Sequence, residues 1–533
     1  MAIFDINQII SQEQGMRFGT KATVFSLTFL MATCLWAQGN PDWYSINFKT
    51  KAAVKPVPGM LIGSEPDSIP PDTTDMRDIT CVELAKEMVP GWNVGNSLEA
   101  IGGETAWGNP LISQTLMDSI KAAGFNAVRI PVAWGEHSDE STFTIQESWL
   151  YRVEEVVDYV LGSGMYAIIN EHWDSGWIQP TYEDSEYVSN RLGAMWKQIA
   201  VHFRDYDDRL LFAGTNEVHV EGNWGAPTKE NYTVQNMYNQ VFVNAVRATG
   251  GRNYYRHLIV QGYVTNIGYT LNYFVIPKDV VPNRLIVEVH YYDPYNFTIN
   301  TSSNITQWGR WATNPSKTET WANESYADNQ FNRMKTNFID KGYAVVLGEY
   351  GAMARLNLGS DELNAEHTKY RRYYIFYITH SLVRHGLVPF YWDNGYTGDT
   401  GMGIFNRATG AQVYPDIVKA IMDGTDTTIV GIEDEDESLV PGEFNLSQNY
   451  PNPFNPHTQI SYSLKDNVHV FIRIYNIKGQ LVRILVDERQ PAGTYWIDWD
   501  GRDSHRNLVS NGIYFCQLQA GSHVETRKMV LTK

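Results

Sequence analysis

A closed (β/α)8 barrel followed by a small all-β, sandwich-like C-terminal domain is the fold class that this sequence predicts, and three observations carry it. Eight short runs rich in β-branched and aromatic residues alternate with amphipathic stretches between residues 79 and 423. Polar and charged residues gather where those runs stop, which is where a parallel barrel builds a binding site. Beyond an acidic break, Glu433-Asp434-Glu435-Asp436-Glu437, the chain changes to short alternating segments with Gly and Asn turns.

The eight runs are Gly91–Gly95, Asn126–Ile130, Tyr166–Asn170, Leu210–Gly214, Leu258–Gln261, Leu285–His290, Tyr343–Gly348 and Val388–Trp392. Between them, stretches such as Leu116–Gly124 and Val153–Val160 place apolar residues three and four apart, as helices packed on one face do. A doubly wound open sheet is the alternative, but no glycine-rich phosphate loop follows the first run.

Composition sets the frame around that barrel. With 43% hydrophobic and 19% charged residues over 533 positions, the chain suits a large globular domain plus a smaller module. A net charge of -18 argues against nucleic acid as a partner, because phosphate binding needs clustered Lys and Arg; a neutral polymer remains compatible. The three cysteines, Cys34, Cys81 and Cys516, fall in different segments and imply neither a disulfide framework nor a metal centre.

Arg17 and Lys21, the apolar run Ala22–Trp36 and the small residue Ala37 read as a secretory signal peptide within residues 1–37, with Met16 a more ordinary start than Met1. Met31-Ala32-Thr33-Cys34 matches a lipoprotein signal poorly. Residues 38–78 are a Pro-rich linker, 79–423 the barrel, 424–443 an acidic linker and 444–533 the β domain. No other stretch approaches the ~20 apolar residues of a membrane span, so the mature chain is expected to carry none.

The chemistry is read at the ends of the runs. Arg129 closes the second, Asn170 and His172 the third, Asn216 and Glu217 the fourth, His290 and Tyr292 the sixth, Glu349 the seventh and Trp392 the eighth. Any one of these suits a solubilising strand end; their recurrence on successive strands does not. Two carboxylates on one barrel mouth suit glycoside cleavage, and a separation of about 5 to 5.5 Å means retention through a covalent glycosyl-enzyme. Glu217 is then the acid/base and Glu349 the ionised nucleophile, with Arg129 and Tyr292 holding Glu349 and Asn216 gripping the sugar 2-hydroxyl.

Gly91-Trp92-Asn93-Val94-Gly95-Asn96-Ser97-Leu98, Gly124-Phe125-Asn126-Ala127-Val128-Arg129-Ile130-Pro131, Thr215-Asn216-Glu217, His290-Tyr291-Tyr292 and Gly348-Glu349-Tyr350-Gly351 resemble glycoside hydrolase family 5. Glu104-Thr105-Ala106-Trp107-Gly108-Asn109-Pro110 extends the likeness. The resemblance implies a (β/α)8 fold, retaining hydrolysis without metal or cofactor, catalytic Glu217 and Glu349, and substrate-site roles for Arg129, His172, Asn216, His290, Tyr292 and Trp392. Trp173 stands where the family often shows a second His, and Val218 where Pro commonly follows the acid/base. Trp107, Trp134, Trp173, Trp177 and Trp224 are weaker candidates for sugar subsites, each equally suited to packing, and His137 is weaker still.

The tail, opening at Leu446-Ser447-Gln448-Asn449-Tyr450-Pro451-Asn452-Pro453 and ending in Lys528-Met529-Val530-Leu531, resembles a type A sorting domain of the type IX secretion route. That implies contact with the secretion machinery and a secreted or cell-surface protein of a Gram-negative bacterium. A carbohydrate-binding module is the alternative, on Tyr495, Trp496 and Trp499. The expected whole is a monomeric secreted endo-β-1,4-glucanase, a cellulase, acting on β-linked polysaccharide. Mannanase, xyloglucanase or mixed-linkage glucanase action is the alternative, and a non-catalytic surface protein the more distant one.

Overall fold

The computed structural model describes residues 67–172, 174–426, 444–449, 452–490 and 493–532. The expected signal peptide, most of the Pro-rich linker, the acidic run and Trp173 lie outside the described residues.

Eight parallel strands close into a barrel: β1 Gly91–Val94, β2 Ala127–Ile130, β3 Tyr166–Asn170, β4 Leu210–Ala213, β5 Leu258–Asn266, β6 Leu285–Tyr291, β7 Ala344–Tyr350 and β8 Val388–Asp393. β8 pairs with β1 in parallel and completes the ring. Apart from one exposed and one half-buried residue near the end of β5 and the half-buried Trp392, the strand residues are buried, which is why they read as apolar runs. Helices such as Glu147–Gly162, Ser185–His202, Lys229–Ala248 and Asp361–Arg384 form the outer layer and share one hydrophobic core with the outward faces of the strands.

The floor of the barrel is plugged by a short helix, Cys81–Glu87, started by a capping box between Thr80 and Glu83. Its Leu84 and Ala85 pack on Ile168, Leu211, Ile259, Ile286, Val346 and Phe390, the inward side chains near the strand starts. Part of the stretch read as linker belongs to this end: Ile69–Pro71 pairs in parallel with Gly250–Gly251, and Arg77 bonds Asp208 at 2.7 Å and Glu87 at 3.0 Å. Its prolines fit because so short an edge strand leaves few ladder bonds to lose.

β5 runs further than the sequence predicts. Its register against β6 shifts between Gln261 and Asn266, and Val264 and Thr265 take positive φ. This bulge turns the strand end over the mouth, where the Val264 N–H donates to the Val218 carbonyl at 3.1 Å.

The C-terminal domain consists of a three-stranded and a four-stranded sheet, each antiparallel. Strict alternation along Thr458–Leu464 sends Ile460, Tyr462 and Leu464 inward to meet Ile472, Cys516, Leu518 and Trp499. Trp499, counted among the aromatics that would suit a sugar-binding face, is fully buried and donates its indole N–H to the Arg502 carbonyl at 2.9 Å. Among the described residues no helix is long and apolar enough to cross a membrane.

Candidate active site

The barrel mouth gathers charge around one guanidinium. Arg129, fully buried on β2, donates from Nη1 to Asn93 Oδ1 at 3.0 Å and Glu349 Oε1 at 3.1 Å, and from Nη2 to Asn216 Oδ1 at 2.5 Å. Its Nε lies 2.9 Å from Glu288 Oε1, an ion-pair distance without hydrogen-bond alignment. β1, β2, β6, β7 and the loop after β4 are thus tied to one planar fork.

A second hub is His290, on β6. Its Nδ1 lies 2.7 Å from Glu217 Oε1 and its Nε2 3.2 Å from Glu288 Oε1, while Glu349 Oε2 is 3.7 Å from Nδ1. Burial alone would lower the imidazole pKa, but Glu349, Glu217 and Glu288 together raise it to about 9, so the ring is protonated at neutral pH. His172 goes the other way: burial, then Arg129 and His290, push it well below the usual histidine value and keep it neutral.

The two catalytic candidates have different surroundings. Glu349 is encased, with a side chain 7% exposed, and accepts from the Tyr292 hydroxyl at 3.2 Å; Glu217 is 23% exposed and faces the cleft. Burial raises the Glu349 pKa above the ordinary carboxylate value, and the pull of His290 and Arg129 in the other direction offsets only part of that. Glu217, Glu288 and Glu349 face two cations, Arg129 and His290, so one added proton neutralises the group. Glu217, His290 and Glu349 bring potential ligand atoms within 4.8 Å of one another. With both ring nitrogens of a protonated His290 committed to carboxylates, this set offers hydrogen bonds to a sugar rather than ligands to a cation.

All eight residues expected at the site converge here. Trp392 lies parallel to His172, ring centroids 5.9 Å apart, and both line a cleft of about 1040 Å³ with Glu217, Glu349, Trp224 and Tyr295. Of the weaker tryptophan candidates, Trp224 is 58% exposed on the cleft wall; Trp134 is buried with its indole N–H on the Asn170 carbonyl at 2.8 Å. Trp177 is partly buried under the Arg191 guanidinium at 4.4 Å, and Trp107 is exposed away from the cleft lining. His137 stacks on Trp149 at 3.6 Å, a packing role.

Two residues of the network escape a sequence reading, Asn93 and Glu288. Glu288 interrupts an apolar run, and its place two residues before His290 on one strand was the available sign that both face inward. Gly348 makes room for it: a Cβ there would lie 1.9 Å from Glu288 Oε1.

Residues 93–398 match the cellulase family, glycosyl hydrolase family 5, and residues 448–532 match the secretion system C-terminal sorting domain. A xyloglucan-specific endo-β-1,4-glucanase of Bacteroides ovatus is 44% identical over 402 residues, 73% of this chain and 77% of that protein. Endoglucanase A of Paenibacillus barcinonensis is 40% identical over 66% of this chain and 91% of its own length. Among solved structures, the Bacteroides ovatus family 5 xyloglucanase with a XXXG heptasaccharide superposes with a TM-score of 0.65 at 44% identity, covering 68% of this chain and 80% of that one. A barrel whose mouth presents two carboxylates around an arginine and a histidine therefore belongs to glycosyl hydrolase family 5, in a glycoside hydrolase of the endo-β-1,4-glucanase kind that also carries a type IX sorting domain.

Proposed function

We propose that this protein cleaves the backbone of β-1,4-glucans internally and with retention, accepting xyloglucan as well as unbranched chains. The observation that carries this reading is the approach of the Glu217 and Glu349 oxygens to within 4.8 Å across one cleft, close to the spacing of a covalent double displacement. Glu349 attacks the anomeric carbon while Glu217 gives its proton to the leaving oxygen. Glu217, then ionised, takes a proton from the water that releases the glycosyl-enzyme.

The other residues orient the sugar. Arg129 fixes the Asn216 carbonyl oxygen, so that Asn216 turns its amide N–H groups toward the 2-hydroxyl. Trp392 offers a ring face to the sugar and Tyr292 keeps the nucleophile aligned. Acceptance of branches draws support from the open cleft and from relatives named for xyloglucan.

Export follows the sorting domain, giving a secreted or cell-surface enzyme of a Gram-negative bacterium, with the catalytic unit within 79–423 and the sorting unit within 444–533. The test is reducing-sugar release from xyloglucan, carboxymethyl cellulose, mixed-linkage glucan and mannan, with the first anomer read by NMR. Activity on the β-1,4-glucans with a β-anomer product is expected. A preference for mannan, or an α-anomer formed first, overturns the reading.

A further inference from the structure

Glu217 has a left-handed backbone, φ 45°, which a glutamate holds only when its surroundings fix it there. A proline after it would restrict its backbone to extended conformations, and Val218 lifts that restriction. What fixes Glu217 instead is the next residue but one. His219 Nδ1–H donates to the Glu217 carbonyl at 2.6 Å. The loop around it is anchored by Val220 N–H to the Tyr263 hydroxyl at 3.3 Å and Glu221 N–H to Gln179 Oε1 at 3.1 Å.

The same imidazole has a second contact. The Trp224 indole stacks on it, centroids 3.9 Å apart at 30°. A backward turn bridging Val220 and Asn223 brings this indole over the histidine. His219 is only 7% exposed, whereas Trp224 is 58% exposed and lines the cleft alongside Glu217. One ring therefore grips the backbone of the proton donor with a nitrogen and supports an open aromatic face with its plane.

We propose that Trp224 is a platform for the leaving-group sugar and that His219 is a positioning residue tying this platform to the Glu217 backbone. A sugar stacked on Trp224 and the proton it must receive then stay in register. The inference rests on Glu217 being the acid/base: the sugar nearest that group's loop is the one whose oxygen it protonates. A bulky flat indole with one face backed and the other open suits the apolar face of a glucosyl ring.

The test compares a cello-oligosaccharide, whose departure needs both protonation and a bound leaving sugar, with a dinitrophenyl β-cellobioside, whose departure needs neither. His219→Phe keeps the stacked ring and removes the donor; His219→Asn keeps a donor and removes the ring. His219→Phe is expected to lower kcat on the oligosaccharide about tenfold, to affect the aryl substrate at least about fivefold less, and to move the basic limb of the pH profile. His219→Asn recovers part of that kcat, and Trp224→Ala raises KM about fivefold more for the oligosaccharide than for the aryl glycoside.

Equal losses on both substrates, with an unmoved basic limb, overturn the inference. Should His219→Phe fail to fold, His219→Asn and Trp224→Ala decide by the same comparison. Glu217→Gln run alongside separates the two failures. If it too loses equally on both substrates, the acid/base reading falls; if it shows the leaving-group dependence and the His219 and Trp224 variants do not, only the positioning role falls.

Discussion

At the floor of the barrel the strands turn Ala127, Ile168, Ile286 and Phe390 inward, onto the helix Cys81–Glu87. Two residues further along, the same strands turn in Arg129, Asn170, Glu288 and Trp392. The floor is apolar and closed and gains from burial; the mouth holds ionised groups out of water and is bearable only because each is paired. One set of strands thus serves as scaffold at one end and strained chemistry at the other. Substitutions should therefore fail in different currencies at the two ends: activity at the mouth, stability at the floor.

The largest expected effect is at Glu349. Glu349→Ala should lower kcat on xyloglucan by about 10³-fold or more without loss of thermal stability, because the cavity forms where a buried carboxylate had been costly. A variant as active as the wild type would end its assignment as nucleophile and, with it, the picture of the mouth as a working site. Glu217→Gln comes next. Its loss on polymer should be about 10²- to 10⁴-fold, much of it regained on substrates with activated leaving groups. Uniform loss on both would mean the cluster needs the Glu217 charge for its architecture rather than its proton for the reaction.

Arg129→Met sharpens the contrast, since it should harm both properties. It leaves the buried Glu288 and Glu349 with His290 as their remaining counter-ion, at a cost of about 3–5 kcal/mol in chemical denaturation. Adding Glu288→Gln should return part of that stability and none of the activity. Leu84→Ala at the floor should cost about 2–5 kcal/mol while kcat/KM of the folded enzyme stays unchanged. A large fall in kcat/KM would show that the two ends are mechanically coupled.

The legibility of the two ends also differs. Eight buried parallel strands announce themselves as apolar runs, and the floor contacts follow from the inward alternation. Glu217 and Glu349 were legible because each sits in a short polar motif at a strand end. Glu288 was not, being a single charge inside an otherwise apolar strand, and its partner Arg129 comes from 159 positions away in the chain. Exposure distinguishes Trp224 from Trp134, and exposure depends on the loop each sits in, which spacing does not encode. The 69–71 strand hid behind its prolines, which read as linker until a partner strand is known.

The smallest effect expected separates two histidines within the mouth itself. His290 has its pKa raised from the ordinary 6.5 to about 9; burial opposes the proton, but the three carboxylates outweigh it. The folded state holds that proton more tightly than the unfolded chain. Its contribution, on the order of 1–3 kcal/mol, is complete below pH about 6.5 and disappears as pH rises through about 9. His172 has the opposite sign: held neutral by burial and two cations, it contributes stability above its unfolded value and loses it as pH falls below about 6.5. Urea denaturation across pH should therefore show His290→Asn flattening the alkaline decline and His172→Asn flattening the acid one. A His290→Asn curve parallel to wild type between pH about 7 and 9 would mean that the ring is neutral in the folded enzyme. A neutral imidazole has a single N–H, so one of the two carboxyl groups that His290 touches would then have to donate in its place.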